Sequence, residues 1–324
     1  MKTTAKKILA LILVAATLVA CTFALSACGE QKKTVYTVGI CQLVRHDALD
    51  AATQGFKDAL TKALGEENVK FIEQNAQNDT NACTTIVTDF VSKNVDLIMA
   101  NATPALQAAA NATTTIPILG TSVTEYGVAL GINNFSGTVG GNISGTSDLA
   151  PLTEQGDMIL ELFPEAKNIG LIYCSAEPNS EYQIKVIEEY LTGKGLNCTR
   201  YSFSDSNDIS AVTTTAASQS DVIYIPTDNT AASCTETIGN IVREKKVPVV
   251  AGEKGIASGC GVATLSISYY DLGVKTGEMA AKILKGEANI SEMPIEYANA
   301  TKMYNETFCK ELGVTIPDGY TAIQ

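Results

Sequence analysis

Apolar runs and amphipathic stretches alternate along most of this chain. Val95-Asp96-Leu97-Ile98-Met99-Ala100 is apolar apart from Asp96, the pattern of a strand buried on both faces of a parallel sheet. After Asn101-Ala102 the chain turns into Thr103-Pro104-Ala105, which reads as a helix start with Thr103 as N-cap and Pro104 at the first helical position. The same alternation predicts a strand over 35–44, a helix over 47–64 stopped at Gly65, a strand over 69–73, a helix over 80–92 and a strand over 116–120. A glycine- and asparagine-rich stretch, 127–150, interrupts it. The rhythm resumes with a helix over 151–163, a strand over 168–175, a helix over 181–191, a strand over 196–203 and a helix over 208–219. A strand from Asp221, a helix over 230–245 and a strand over 247–253 follow.

The pattern is written twice. Val38-Gly39-Ile40 corresponds to Ile169-Gly170-Leu171, Asp96-Leu97-Ile98 to Asp221-Val222-Ile223, and Ile116-Pro117-Ile118 to Val247-Pro248-Val249, at a near-constant spacing of about 130 residues. The fold class is therefore α/β, with two doubly wound parallel-sheet lobes. The tail extends neither copy: it reads as a strand over 261–268, a helix over 269–285, an extended segment over 294–303 and a short helix over 305–312. We expect the chain to cross between lobes after residue 147, near Ser268 and again near Pro294, making a three-stranded hinge. Lobe 1 is then 34–147 plus 268–292, and lobe 2 is 148–267 plus 293–324.

Ligands of open α/β sheets bind at the carboxyl ends of the strands. In lobe 1 those ends carry Gln42, His46, Thr103 and Ser122; in lobe 2 they carry Asn179, Ser180, Asp228, Asn229 and Glu253. The set holds hydrogen-bonding groups, helix starts and two carboxylates, with only Arg45 as a nearby cation. It suits a small zwitterion whose carboxylate sits on the Thr103 helix start and whose ammonium pairs with Asp228 or Glu253. Each residue also has a purely structural reading. Thr103, Asp228 and His46 can be helix caps, Glu253 a loop acid, Tyr269 and Tyr270 hinge packing, and Asp148 a stabiliser of the crossing. Catalytic readings find little support: there is no GxSxG elbow, no P-loop, and a single histidine, His46, with no marked partner. No cofactor and no metal site are expected, because one histidine and no close cysteine pair make a poor ligand set.

The amino terminus is not part of the fold. Lys2, Lys6 and Lys7 precede an apolar run from Ile8 to Ala20, as in a secretory signal. Leu18-Val19-Ala20-Cys21 and Leu25-Ser26-Ala27-Cys28 both resemble the lipobox of bacterial lipoproteins. Cys28 is the better lipidation site, being followed by the polar tether 29–33, whereas apolar chain follows Cys21. Residues 1–27 are then signal peptide. An uncleaved membrane anchor is the alternative, and either reading puts the lobes outside the cytoplasm and tied to the membrane. The formal charge of −12, without a basic cluster, argues against nucleic acid. The other cysteines, Cys41, Cys83, Cys174, Cys198, Cys234, Cys260 and Cys309, form an odd set without a CxxC pair and are no disulfide framework.

Across 34–318 the chain resembles the ABC-transporter substrate-binding lipoproteins of the tryptophan/tyrosine type, which have a type I periplasmic-binding-protein fold. The markers are His46-Asp47-Ala48-Leu49-Asp50, Ala102-Thr103-Pro104-Ala105, Thr146-Ser147-Asp148, Glu177-Pro178-Asn179-Ser180, Pro226-Thr227-Asp228-Asn229 and Tyr270-Asp271-Leu272-Gly273. Two positions depart from the family pattern: Asp47 stands where proline often follows the histidine, and Glu125-Tyr126 where Asp-Pro is common. The resemblance implies a monomeric, lipid-anchored binding protein of an ABC importer on the outer face of the cell membrane. It would hold an amino acid, aromatic ones favoured, and work with a permease and its ATPase. A sensor ectodomain of the same fold is the alternative, and a cleft hydrolase using His46 a weaker one.

Overall fold

The computed structural model describes residues 35–323; the expected signal peptide and tether, with Cys21 and Cys28, lie outside them. The elements run β1 (Tyr36–Gln42), α1 (Asp47–Leu64), β2 (Val69–Asn75), α2 (Thr80–Ser92), β3 (Leu97–Asn101), α3 (Thr103–Ala112), β4 (Ile118–Val123), α4 (Tyr126–Leu130) and β5 (Ile143–Ser147). The chain then crosses into α5 (Leu152–Leu162), β6 (Asn168–Cys174), α6 (Pro178–Gly193), β7 (Asn197–Phe203), α7 (Ile209–Gln219) and β8 (Val222–Ile225). Next come α8 (Asn229–Ala232), α9 (Thr235–Lys245), β9 (Val249–Ala251), α10 (Lys254–Cys260) and β10 (Ala263–Ile267). The tail is α11 (Tyr269–Leu284), β11 (Glu296–Tyr297), β12 (Ala300–Tyr304), α12 (Glu306–Leu312) and β13 (Thr321–Ala322).

Two sheets result. One has the order β11-β5-β4-β3-β1-β2 and is parallel throughout. The other has the order β13-β12-β10-β9-β8-β6-β7, with β12 antiparallel to β10. Both are doubly wound. Alternate residues of each central strand feed opposite layers, as a two-sided sheet requires. In lobe 1, Val38, Ile40, Leu97 and Met99 pack with Phe56 and Leu60 of α1 and Met279 of α11. Cys41, Ile98, Ala100 and Ile118 face the layer of Val87, Phe90, Leu106 and Ala109, from α2 and α3.

Two local expectations are corrected. The third crossing falls between β11 and β12, past Pro294, because Glu296 and Tyr297 pair with Thr146 and Ser147 and close the edge of the first sheet. The single helix expected over 230–245 is two, α8 and α9, broken at Ser233–Cys234, where Cys234 (φ −121°) leaves the helical region and starts α9 as its N-cap.

The tail helix α11 returns to lobe 1 through glycines. Gly55 of α1 abuts the Tyr270 carbonyl, and Gly273 and Gly277 of α11 abut the carbonyls of Ala52 and Phe56. No Cβ fits at these points without backbone movement, so the two helices touch at main-chain distance. We expect Gly273→Val to cost about 3 kcal/mol by overpacking, a fall in Tm of roughly 5–10 °C in a circular-dichroism melt. Gly193→Ala, where the added methyl meets nothing within 4 Å, should leave Tm unchanged or raise it.

Candidate functional site

The carboxyl ends of both sheets face one another, and the lobes touch there. His46 Nε2 lies 3.3 Å from Asn229 Oδ1, Asn78 Nδ2 donates to Thr230 Oγ1 at 3.0 Å, and α4 packs on α6. Each of these contacts joins lobe 1 to lobe 2, so the cleft is closed.

In lobe 1 the site is built on strained backbone. Ala102 has φ 93° and ψ 160°, a region nearly reserved for glycine, and on the next strand Ser122 has φ 53°. Such residues cost about 1–3 kcal/mol each and cluster where function requires them. Ala102, not Thr103, is the N-cap of α3, because its carbonyl accepts the first helical bond, from Leu106 N at 3.1 Å. Thr103 is instead the first residue of the helix, buried at 2 % exposure. No side chain caps α3 and no acid stands in its first turn. Its early N–H groups are thus open to an anion beside the Thr103 and Ser122 side chains.

The corresponding helix starts in lobe 2 are sealed. Asp228 Oδ1 accepts from Ala231 N at 2.8 Å and its Oδ2 from Cys174 N at 2.7 Å. Glu253 accepts from Gly255 N at 2.6 Å and from Ile256 N at 2.5 Å. Each oxygen of both carboxylates therefore already holds a backbone N–H, and these residues act as caps. Ser180, fully buried, accepts from Asn179 Nδ2 at 3.3 Å and supports Asp228 through its hydroxyl. Gln42 is turned inward: it donates to Val44 O at 2.8 Å and Asp50 Oδ1 at 2.6 Å and accepts from Thr53 Oγ1 at 2.6 Å. Its amide is spent within lobe 1.

Two residues outside the expected set matter more. Glu177, buried at 4 % exposure, accepts from Thr230 N and Oγ1 at 2.9 and 2.8 Å. Its other oxygen accepts from Asn229 N and Nδ2 at 3.0 and 2.7 Å and Asn179 Nδ2 at 3.2 Å. Asp148, at 3 % exposure, accepts from the Tyr269 hydroxyl at 2.9 Å through Oδ2, and its Oδ1 has no partner. Both lie inside quoted sequence markers, Glu177-Pro178-Asn179-Ser180 and Thr146-Ser147-Asp148; the available signal was an acid directly after a strand for Asp148 and an acid just before a helix-starting proline for Glu177.

Among the described residues, eight buried side-chain atoms lack a hydrogen-bond partner, and six of them stand at or just past the carboxyl ends of strands: His46 Nδ1, Asn75 Nδ2, Asn101 Oδ1, Ser122 Oγ, Asp148 Oδ1 and Asn179 Oδ1. Buried polar atoms are rarely left unpaired, so this concentration needs a cause. Apart from the Asn75 amide nitrogen and the Ser122 hydroxyl these are acceptors, and no lysine or arginine is among the buried described residues. The cleft therefore calls for a molecule that brings donors and positive charge.

Burial pushes the Asp148 carboxyl up to about 6, partly offset by the Tyr269 hydroxyl. Burial likewise pushes Glu253 up to about 7, and burial together with the Glu177 charge pushes Asp228 up to about 7. Burial also lowers the pKa of His46, which keeps its ring neutral. The raised carboxyls bind protons more tightly folded than unfolded, so their stabilisation is complete below the ordinary carboxyl range and lost as pH rises through about 6 to 7. Ligand-free protein should therefore melt at a higher temperature at pH 5 than at pH 8. In Glu253→Gln, measured by differential scanning calorimetry, that gain should shrink.

Two parallel-sheet lobes, joined by three crossings and closing on a polar cleft, define a solute-binding protein of the type I periplasmic-binding-protein fold. The chain belongs to the ABC transporter substrate binding protein family, whose model matches residues 37–322. The family consists of solute-binding proteins rather than enzymes. A relative from Clostridioides difficile (strain R20291), named a tyrosine-binding protein, is 36% identical over 294 residues, 89% of this chain and 85% of the relative. An ABC domain from Streptococcus pneumoniae solved in complex with L-Trp shares 30% identity at TM-score 0.84, covering 89% of this chain and 100% of that one. The ligand-free, open structure of a Clostridium difficile substrate binding protein with adhesive properties shares 38% identity at TM-score 0.69, covering 90% and 99%. The closer sequence thus superposes less well, as expected when one pair of lobes is open and the other closed.

Proposed function

We propose that this protein is an extracytoplasmic, lipid-anchored receptor that captures an aromatic amino acid between its lobes and delivers it to an ABC permease. The observation that carries the reading is the division of charge across the cleft. Lobe 1 offers the uncapped start of α3 with Thr103 and Ser122, a seat for a carboxylate. The hinge offers the unpaired Asp148 Oδ1, a seat for an ammonium. Asp148 thus takes the part that spacing alone assigned to Asp228 or Glu253, both of which are engaged as caps. The printed ligands of the two relatives, tyrosine and L-Trp, support an aromatic side chain. Closure on the ligand presents the permease with one fixed arrangement of the two lobes. Cys28 supplies the anchor, the ATPase drives transport, and the receptor acts as a monomer.

A calorimetric titration with the twenty amino acids should show binding by aromatic ones; binding by none would overturn the reading. Asp148→Asn keeps the acceptor for Tyr269 but removes the charge. It should weaken binding at least ~30-fold, from the loss of about 2 kcal/mol or more that breaking a buried charge pair costs. The fold should persist, and an unchanged Kd would remove Asp148 from the site. Protonation of the free carboxyl opposes capture of an ammonium. Wild-type affinity should therefore fall as pH drops below about 6, with a flatter profile in Asp148→Asn.

A further inference from the structure

Around the His46–Asn229 contact stand two bare acceptors, one from each lobe. Their state follows from Glu177. Asn229 Nδ2 lies 2.7 Å from Glu177 Oε2, and an ionised carboxylate only accepts, so Asn229 presents its Oδ1 to His46. His46 Nε2, 3.3 Å from that Oδ1, must then carry the ring hydrogen. The neutral ring is left with a lone pair on Nδ1, buried and unpartnered. Asn179 is oriented the same way. Its Nδ2 donates to Glu177 Oε2 at 3.2 Å and Thr227 O at 3.2 Å, which leaves Oδ1 buried and unpartnered. One carboxylate thereby sets two amides and one tautomer, and leaves one acceptor on His46 and another on Asn179 without a partner in the closed protein.

Their position relative to Asp148 sets a length. Asp148 directly follows β5, and His46 lies four residues past β1; these strands are three apart in the order β5-β4-β3-β1, which separates the strands themselves by roughly 14 Å at the usual spacing. An aromatic amino acid with a para-hydroxyl measures about 7 Å from amino nitrogen to ring oxygen, and a hydrogen bond of about 3 Å at each end brings the span to ~13 Å. A ring nitrogen placed nearer the Cα, as in an indole, falls short of this.

We propose that His46 Nδ1 and Asn179 Oδ1 form a specificity subsite that accepts the hydrogen of a hydroxyl at the distal end of the ligand's aromatic ring. The cleft then discriminates a para-hydroxylated aromatic amino acid from its unhydroxylated counterpart. This rests on the aromatic amino-acid reading of the same cleft. The hydroxyl has one hydrogen, which one acceptor takes or the two share; a ring without it leaves that need unmet in the closed cleft, which is a penalty rather than merely a lost gain.

The test is isothermal titration with tyrosine, O-methyltyrosine and phenylalanine against wild type, His46→Gln and Asn179→Ala. His46→Gln retains an N–H for Asn229 and replaces the ring acceptor with an amide oxygen in a different place, whereas Asn179→Ala deletes its acceptor outright. In wild type, tyrosine should bind at least ~10-fold tighter than phenylalanine, and O-methyltyrosine, which has the oxygen without its hydrogen, should bind no better than phenylalanine. Each variant should narrow the tyrosine-to-phenylalanine ratio about fivefold or more, by weakening tyrosine and by sparing phenylalanine an unpaired acceptor. Equal wild-type affinities for tyrosine and phenylalanine would overturn the subsite while leaving the amino-acid reading standing. So would variants that weaken both ligands in parallel, since that is the signature of lost closure. Binding of none of the three by wild type would overturn both. The wild-type comparison decides the matter even if a variant fails to fold.

Discussion

A buried carboxylate must have its oxygens satisfied, and Glu177 meets that demand with groups from three other residues. Thr230 is held through its N–H and hydroxyl, Asn229 through its N–H and amide, and Asn179 through its amide. Two of these three then face lobe 1: Asn229 meets His46, and Thr230 meets Asn78. The surface on which the lobes close is therefore laid out by one side chain. Single hydrogen bonds to a charged group contribute about 1.5–3 kcal/mol, but orientation counts for more here than energy. Without Glu177 the two amides would be free to flip, and the polarity of the outer cleft would be undefined.

The double-lobed plan was legible because buried parallel strands leave little choice of residue. Leu97-Ile98-Met99-Ala100 and Val222-Ile223-Tyr224-Ile225 are apolar on both faces because helices cover both faces. Polar residues at strand ends carried a weaker message. Spacing placed Asp228 and Glu253 at the cleft, but not the direction of their carboxylates, which are turned back on their own helix starts. Thr103 has the chemistry of a cap, yet the helix begins one residue earlier at a strained alanine. Asp148 and Glu177 carry no such mark in the sequence, because what matters is how their atoms are paired: one Asp148 oxygen has no partner, whereas both Glu177 oxygens are fully engaged. That is a property of tertiary contacts.

The hinge and the site share parts. Tyr269 begins the helix that returns to lobe 1, and its hydroxyl holds one oxygen of Asp148. The free oxygen is therefore fixed by the segment about which the lobes rotate, and the lobes can turn without displacing the group that defines one end of the cleft. Ala102 and Ser122 belong to lobe 1 alone. Their strained backbone is held by the Ala102 N–H bond to Thr121 O at 3.0 Å, a strand-to-strand contact that rotation leaves intact.

The glycine seam between α1 and α11 also governs the order in which the protein can assemble. Val38, Ile40, Leu97 and Met99 need Met279 and Ala280 to complete their layer, and those residues are synthesised only after five of the seven strands of the second sheet, β6 to β10. Until they emerge, the first lobe has one face of its sheet incompletely covered and cannot settle. The first lobe of a chain built this way cannot complete its core until Met279 and Ala280 have been made. For a protein that reads as one carried across a membrane before it folds, that delay keeps it threadable, at the cost of a long interval with apolar strands in need of a chaperone.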